Sequence, residues 1–395
     1  MYKNIYVLLD NSKYSLWSLD FAIELAKESG GTLIGNHAYA AKLHEDRFIQ
    51  MEPGLPEKYQ EPTELQKQRD IHGSLIEKGL ELISDSYLDV FQKRCDENGV
   101  TCQRKMSEGK NYSELVKDIQ GSNYDLVAMG ARGLGSVKTT QLGSVCERVT
   151  RRIKVDTLIM KNSIKVRGGH IVVGIDGSEE SFSAMRTAIQ LNKIMGCRIS
   201  ALAVFDPDFH YTVFNSIAKV LSEEAGKVFK FKEQEKLHEE IIDSGLEKIY
   251  KDHLDQAVAM AKAEGVEVEA EVLSGKAFDA LLDWIEGKEI ALLLLGRVGV
   301  HCDNGLDIGS NAENLLRNAD CNIMLFSSKV KPESKDYEKG ERIEWEAGAL
   351  KMLERVPSFV RNMVKGHIEA NARKKGMDKI TEEYVVEQRK KMMGR

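Results

Sequence analysis

Two glycine-rich segments, 166 residues apart at every position, contain the residue types best suited to bind an anion. In each copy two glycines flank two residues, and a spacer of nine residues leads to a Gly-Ser pair. Glycines let main-chain N–H groups approach an anion closely, and a helix that starts at the serine adds unpaired donors and a favourable dipole. The sequence therefore predicts two phosphate-binding loops, as in a nucleotide-binding chain. The defining positions are Gly130, Gly133, Gly143 and Ser144 in the first copy and Gly296, Gly299, Gly309 and Ser310 in the second.

The constant offset extends well beyond the glycines. Asp10 is matched by Asp176 after the first apolar run of each half, and Phe48 is matched by Phe214. An offset that never changes implies two copies of one domain with no net insertion between them. The period is too long for a solenoid, whose units run about 20–50 residues, and is normal for a compact domain. We therefore predict one domain at residues 1–163 and a second at residues 167–328.

Each repeat alternates strand-like and helix-like segments in the same order. This alternation predicts a parallel sheet covered on both faces, so the expected fold class is α/β, with two doubly wound domains in tandem. Ligands of such sheets bind beyond the carboxyl ends of the strands, where the strand order reverses. Asp10 and the loop that begins at Gly130 should therefore line one crevice. In the first repeat, strands are predicted at residues 5–9, 32–38, 100–106, 125–129 and 156–161, and helices at residues 15–29, 111–120 and 144–152.

A long amphipathic region separates the second and third strands of each repeat. In the first repeat it covers residues 43–97 and is predicted to form two helices broken around residues 51–56. Two histidines recur at equivalent positions there, but no acidic or cysteine neighbours give them metal-site spacing, so we expect them to pack between helices. The histidine pairs are His44 with His210 and His72 with His238.

Composition excludes several classes of partner. The formal charge is −6 and no basic stripe is present, which excludes a nucleic-acid binder. The longest apolar run, residues 290–295, is far short of the roughly 20 residues that span a bilayer. Six cysteines without CxxC spacing predict reduced thiols and no metal site. No leader-like segment precedes the first strand, and we expect a cytoplasmic chain.

The doubled glycine pattern, the aspartate after the first strand and the segment Val127-Ala-Met-Gly-Ala-Arg-Gly-Leu-Gly resemble the ATP-binding branch of the universal stress proteins over residues 1–328. The resemblance implies ATP or another adenine nucleotide as ligand, with Mg²⁺ as an optional companion. Glycines and serine would hold the phosphates, the aspartate the ribose, and the end of the second strand the adenine. The implied residues are Asp10, Ala38, Met129, Gly130, Arg132, Gly133, Gly143, Ser144 and Val145 in the first domain and Asp176, Val204, Leu295, Gly296, Gly299, Gly309, Ser310 and Asn311 in the second.

The same resemblance implies a way for the two domains to associate. Its members pair their final strands, so residues 156–161 and 322–327 would join the two repeats within the chain. A homodimer is a further option. The regions between the second and third strands are longer than in the simplest members, and they would offer either a surface for a partner protein or additional helical packing.

Charge makes the two predicted sites unequal. In the first copy Arg132 lies between the glycines and the nine-residue spacer carries Lys138 and no acid, whereas the second spacer carries Asp303 and Asp307 with His301. A like charge near a triphosphate costs roughly 1 kcal/mol at 4 Å in water and several times that at lower dielectric. We therefore expect tighter ATP binding at the first site. The second would need Mg²⁺ at one of its aspartates, take a less charged nucleotide, or stand empty.

Residues 329–342 are charged and aperiodic, which predicts a linker before a small all-helical module at residues 343–393. Pro357 suits the first turn of its second helix, and Thr381 the cap of its third. Val356-Pro-Ser-Phe-Val-Arg361 and the residues up to Thr381 resemble the small C-terminal domain of the light-independent protochlorophyllide reductase B subunit. The iron–sulfur part of that enzyme has no counterpart here, so the resemblance implies a docking module. Arg361 and His367 are either ligand contacts or internal hydrogen-bonding residues.

Three functions remain open from the sequence. The first is a stress-response regulator in which bound ATP sets the position of the long helices and the C-terminal module. In this way it controls the interaction with a partner protein. The second is a slow ATPase or phosphotransferase, and the third is a scaffold with nucleotide-free sites. Phosphoryl transfer requires Mg²⁺ carboxylates and a base near the γ-phosphate. The first spacer offers Lys138 and Ser136 but no acid, so we assign no catalytic residue and favour regulated binding.

Overall fold

Apolar runs from both repeats form one continuous sheet of ten strands in the computed structural model. Along the sheet the order is β3-β2-β1-β4-β5-β10-β9-β6-β7-β8. The strands of the first repeat are β1 Asn4–Leu8, β2 Thr32–Tyr39, β3 Cys102–Glu108, β4 Leu126–Gly130 and β5 Asp156–Met160. Those of the second are β6 His170–Gly174, β7 Arg198–Phe205, β8 Glu269–Ser274, β9 Ile290–Gly296 and β10 Asn322–Phe326.

All neighbouring strands in this sheet are parallel except one pair. That pair is β5 and β10, which run antiparallel with Leu158 opposite Met324. The predicted pairing of the final strands within the chain is therefore confirmed. It makes a single sheet whose two halves are related by approximate twofold symmetry.

The structure describes residues 1–137, 139–206, 243–300, 307–331, 344–354, 365, 368–369, 371–372, 375, 377 and 379–392. The chain divides into two compact units, Met1–Pro332 and Glu333–Arg395. None of the described helices is long and apolar enough to cross a bilayer. The described helices of the first unit are α1 Lys13–Ser29, α2 Ala41–Met51, α3 Pro62–Asn98, α4 Asn111–Gln120, α5 Ser144–Arg152, α6 Glu179–Met195, α7 Asp243–Ala263, α8 Ala277–Ile285 and α9 Ser310–Asn318.

Helices α1 and α6 begin and end in the same way, because the two repeats share their capping residues. Ser12 Oγ accepts a hydrogen bond from Ser15 N at 3.2 Å, and Ser178 Oγ accepts one from Ser181 N at 3.1 Å. Both helices end at a glycine in the left-handed region, where a side chain would be strained. These caps fix the helices that follow the two predicted ligand aspartates.

The region predicted as two helices with a break is α2, two short 3₁₀ turns and α3. Pro62 occupies the first turn of α3, where its missing N–H costs nothing. The His72 ring stacks on Phe48 with centroids 4.5 Å apart, so this histidine packs between α2 and α3 as predicted. His210 and His238 lie outside the described residues.

The second compact unit contains α10 Ala347–Glu354 and α11 Glu382–Met392, and Thr381 Oγ1 accepts from Tyr384 N at 3.3 Å, as a helix cap would. The all-helical prediction omitted two short strands, β11 Glu344–Trp345 and β12 Lys379–Ile380, which pair in parallel. A strand of two residues is too short to show the alternating pattern from which strands are predicted. Pro357, Arg361 and His367 lie outside the described residues. The buried core is Ala349, Ile368, Ala372, Ile380, Tyr384 and Val385.

Candidate functional site

A crevice of about 570 Å³ opens at the carboxyl ends of β1, β2 and β4, where the strand order of the first repeat reverses. All nine residues predicted for the first site line it. They come from three separate parts of the chain, which the parallel sheet brings to one edge. Further lining residues include Asn36, His37, Asn111, Leu115 and Glu147.

Helix α5 begins in this crevice with its main-chain donors open. Its N-cap, Gly143, has an extended backbone, and among the described residues no side chain accepts from the first turn. The first main-chain bond back to the cap is from Glu147 N to Gly143 O, so the amides ahead of Glu147 have no acceptor within the helix. Helix α1, by contrast, has a serine side chain that accepts from its first turn.

The glycines of the loop have a packing role that the sequence pattern did not specify. A Cβ at Gly130 would lie 2.6 Å from Ser15 N, and one at Gly133 would lie 2.6 Å from Asp10 Oδ2. A Cβ at Gly143 would meet Ala131 O at 3.2 Å. The loop therefore lies directly on the start of α1, and the close approach that was predicted for an anion is also required by the protein itself.

Asp10 ties the loop to the first strand. Its Oδ1 accepts from Ser12 N at 3.0 Å and its Oδ2 accepts from Leu134 N at 3.3 Å. These bonds stabilise the turn after β1 and connect it to the glycine loop. A carboxylate has about four acceptor positions, so both oxygens keep room for a further donor in the crevice.

The second crevice, about 290 Å³, is smaller than the first, and all eight residues predicted for the second site line it. Larger side chains occupy it at positions that correspond to small or polar ones. Tyr250 of α7 stands where the first domain has Ser84, and Val204 stands where it has Ala38. Two amide side chains are also lost, because Leu202 replaces Asn36 and Ala277 replaces Asn111.

Asp307, one of the two aspartates considered from the sequence as a Mg²⁺ ligand, is paired with an arginine in this structure. Its Oδ2 is 2.9 Å from Arg151 Nη1 of the first domain. Burial tends to raise the pKa of Asp307, but the hydrogen bond from Arg151 and the amide of Ile308 hold it below its usual value. Within the described part of the chain no three His, Cys, Asp or Glu side chains form a metal-sized cluster. Lys138, His301 and Asp303 lie outside the described residues.

The sequence interpretation missed His37, which forms one wall of the first crevice. Its Nδ1 lies 2.8 Å from Ser84 Oγ of α3, and its ring meets Tyr87 edge-on at 5.0 Å. Burial lowers the pKa of His37 against the raising influence of Asp10, which favours a neutral imidazole. A histidine inside a run of apolar strand residues was the only available sign.

A buried polar chain lies beneath the same crevice and was also missed. Asn36, 1% exposed, donates to the hydroxyl of Tyr6 and, at 3.0 Å, to Ser107 Oγ. Tyr6 in turn donates to Asp118 Oδ2 at 2.7 Å, and burial raises the pKa of Tyr6 well above its usual value. The second domain has Leu202 in place of Asn36, so this chain is a property of the first site alone.

These features define a class: a tandem α/β protein with a glycine loop and a helix start beside a crevice at each of two strand-order switch points. The chain belongs to the universal stress protein family, whose model matches residues 1–161 and 169–327. A second family model, described as the proto-chlorophyllide reductase 57 kD subunit, matches residues 345–389.

Individual relatives match one domain or both. Universal stress protein YxiE of Bacillus subtilis is 22% identical over 161 residues, which are 41% of this chain and 100% of that protein. Universal stress protein MJ0531 of Methanocaldococcus jannaschii is 24% identical over 166 residues, 41% of this chain and 83% of that protein. A universal stress protein structure from Archaeoglobus fulgidus covers 82% of this chain and 97% of its own, with a TM-score of 0.52 and 17% identity. Its coverage supports the tandem fold.

Proposed function

We propose that this chain is an adenine-nucleotide-binding regulator of the stress response, with its principal ATP site in the first crevice. The observation that carries the proposal is the open N-terminus of α5, whose unpaired amides face a cavity of about 570 Å³. Negatively charged groups are stabilised at such helix starts, both by hydrogen bonds and by the helix dipole.

The lining of the first crevice suits the parts of ATP. The phosphates would lie against the loop of residues 130–133 and the first turn of α5. Apolar contacts for the adenine would come from Ala38, Leu115 and Met129, which also line the crevice. Asp10 would use its free acceptor positions for the ribose hydroxyls. ATP binding therefore needs no rearrangement of the strands in this proposal.

The second crevice would bind ATP more weakly or accept a smaller, less charged adenine compound. Tyr250 and Val204 narrow it, and Asp176 has fewer free acceptor positions because its Oδ1 accepts from both the amide and the hydroxyl of Ser178. Of the described residues that line it, only Arg297 is cationic, and its guanidinium is bonded elsewhere.

The long helices give the nucleotide a route to a partner protein. His37, in the crevice wall, is bonded to Ser84 of α3, so a ligand against His37 would restrain that helix. Further along, α3 exposes Leu75 at 66% and Leu82 at 70%. With Ile71, also exposed, these leucines follow the spacing of one helix face, and an apolar stripe of this kind suits a surface that another protein covers. We therefore place the partner-binding face on α3, with the C-terminal module as a second docking element.

The proposal is tested by placing charge at the helix start without disturbing the loop packing. Ser144 is exposed, so Ser144→Asp should fold, and its carboxylate at the first turn favours the helix while repelling phosphate. Ser144→Asn is the matched uncharged control. Calorimetry with ATP should show at least about tenfold weaker binding in Ser144→Asp and little change in Ser144→Asn.

Two further measurements complete the test. Mass spectrometry of the small molecule released on denaturation should find an adenine nucleotide, and ADP counting during incubation with ATP distinguishes binding from hydrolysis. Hydrogen exchange in α3 should slow when ATP is added. Equal ATP affinity in the wild type and both variants, or no affinity in any of them, would rule out the first crevice as the site.

A further inference from the structure

We propose that Arg297 is a positioning residue that couples the two crevices, so that a nucleotide in the second raises the affinity of the first. This inference rests on the proposed function. Its structural basis is a difference between the repeats at one position, where the second domain has Arg297 and the first has Ala131.

The main chain of Arg297 belongs to the second phosphate-binding loop. Its carbonyl accepts from Gly309 N at 2.8 Å, and Gly309 is the N-cap of α9, which like α5 has no side-chain cap bond. Ala131 makes the equivalent bond with Gly143 N at 2.7 Å. The two loops therefore share this main-chain hydrogen bond, but the side chain at this position differs between them.

The side chain of Arg297 crosses into the first domain and is 4% exposed. Its Nη1 donates to Thr150 O at 2.5 Å, and its Nη2 donates to Thr157 Oγ1 at 2.8 Å and to Val155 O at 3.1 Å. Its Nε donates to Ser327 Oγ at 2.6 Å. Burial lowers the pKa of Arg297 to about 10, against the raising influence of Asp156 and Asp307, and the guanidinium stays charged at neutral pH.

These contacts connect the second crevice to the helix that begins in the first. Thr150 lies in the last turn of α5, where a cation is favourable to the helix dipole. The nine residues of α5 span only about 13 Å from that turn to the open amides at Ser144. Arg151 of α5 also pairs with Asp307, which precedes the N-cap of α9, but both side chains are partly exposed, so this pair should couple the domains more weakly than the buried Arg297 does.

The coupling should be positive, because a ligand in the second crevice orders part of the structure that the first crevice uses. A ligand that bonds to the second loop and the start of α9 immobilises the backbone of Arg297, and the guanidinium then restrains α5. A helix that is already restrained loses less conformational entropy when it binds the second nucleotide. The coupling must be reciprocal, because the two binding free energies are linked.

The test compares the affinity of the first crevice for ATP with the second crevice available or blocked. Ser310→Asp blocks the second crevice, and Ser310→Asn is its uncharged control. With Arg297 present, Ser310→Asp should weaken ATP binding at the first crevice by about fivefold or more. In the Arg297→Met background the same change should alter it by less than about twofold.

Several controls separate coupling from stability. Arg167→Met removes an exposed arginine paired with Glu24 and Glu28, and should leave the coupling intact. If Arg297→Met fails to fold, Thr157→Val is the alternative. It removes one acceptor of Arg297 while keeping the volume of the threonine side chain. Hydrogen exchange supplies a readout that a merely structural role would not move. In Ser144→Asp loaded with ATP, the last turn of α5 should gain protection only when Arg297 is present.

The outcomes distinguish this inference from the proposed function. If both crevices bind ATP but Ser310→Asp leaves the first unchanged with Arg297 present, the coupling is overturned and the proposed function stands. If coupling persists unchanged after Arg297→Met, Arg297 is not its carrier and the inference is wrong. If ATP binds at neither crevice of the wild type, the proposed function and the inference fall together.

Discussion

Asp156 and Asn322 occupy equivalent positions at the starts of β5 and β10. Each accepts hydrogen bonds from two consecutive main-chain amides of the other domain. Asp156 Oδ1 accepts from residues 327 and 328 at 2.9 Å each, and Asn322 Oδ1 accepts from residues 161 and 162 at 2.8 and 3.0 Å. Both side chains are buried. These reciprocal hydrogen bonds hold both ends of the antiparallel β5–β10 pair together, and they help to explain why the tandem domains form one sheet.

The first prediction concerns these two clamps. Asp156→Ala should lower the free energy of unfolding by about 3 kcal/mol, because it leaves two partly buried main-chain amides and the hydroxyl of Tyr2 without their acceptor. Asn322→Ala should lower it by a similar amount, since its amide also donates to Ala291 O. Urea unfolding measures both. Asp156→Asn is the control, and it should cost about 1 kcal/mol because Asn322 shows that an amide oxygen can fill the role. Equal stability of all three variants and wild type would contradict the finding.

The second prediction concerns the glycine that faces Asp10. Gly133→Ala should destabilise the chain by about 1–3 kcal/mol, because the new Cβ would lie 2.6 Å from Asp10 Oδ2. Asp10→Ala removes the obstacle, so the double variant should lose much less than the sum of the single ones. Gly130→Ala meets the main chain of α1 instead and should not be rescued by Asp10→Ala. Thermal unfolding of the complete cycle checks this, and additive losses at Gly133 would show that Asp10 is not the obstacle.

The third prediction concerns the size of the second crevice. In a Ser144→Asp background, which weakens the first crevice, Tyr250→Ser should strengthen ATP binding at the second by about tenfold, because it restores the serine that stands at the equivalent position of the first domain. Tyr250→Phe keeps the bulk and should leave the affinity unchanged. Calorimetry decides between the two results. A gain in Tyr250→Phe equal to that in Tyr250→Ser would assign the effect to the hydroxyl and not to volume.

The fourth prediction is a pH dependence of stability that originates at Lys161. Its Nζ donates to Ala319 O at the end of α9, and burial lowers its pKa to about 8 from a usual value of 10.5. Between these pH values the unfolded chain binds the proton that the folded chain has released, so the free energy of unfolding rises with pH through this window. The rise should be absent in Lys161→Met.

The measurement is urea unfolding of the wild type and Lys161→Met from pH 7 to pH 10. Only the difference between the two chains is interpreted. The thiols of Cys146 and Cys321 titrate nearby, with pKa values raised by burial to about 12 and about 11, and they act in the opposite direction in both chains. Parallel pH profiles for wild type and variant would show that Lys161 is not a buried titrating group.

Strand–loop–helix segments could be predicted from the sequence because their determinants are local. These determinants are apolar runs of five to seven residues, glycines at their ends and serines at helix starts, and each involves neighbours only a few residues away. Because the offset between the repeats is constant, each pattern is seen twice. The pairing of β5 with β10 came from family resemblance. The two-residue strands of the C-terminal unit were missed, since so short an element has no period.

The candidate site divides in the same way. Its glycines, serines and aspartates were found from their spacing, whereas His37 and the polar chain under Asn36 were not, because their partners lie 47 and 71 residues away. Charge counting along the spacer also proposed Asp307 as a Mg²⁺ ligand, and the structure places Arg151 of the other domain beside it.

By itself the sequence determined two copies of a doubly wound domain and the loops that end their central strands, since hydrophobic periodicity and glycine spacing act over short stretches of chain. Only the tertiary structure decided that the crevices differ in volume and that Arg297 of one loop lies within the other domain. Those properties depend on contacts between side chains that are far apart in the sequence and come together only when the sheet has formed. Local sequence patterns do not specify such contacts.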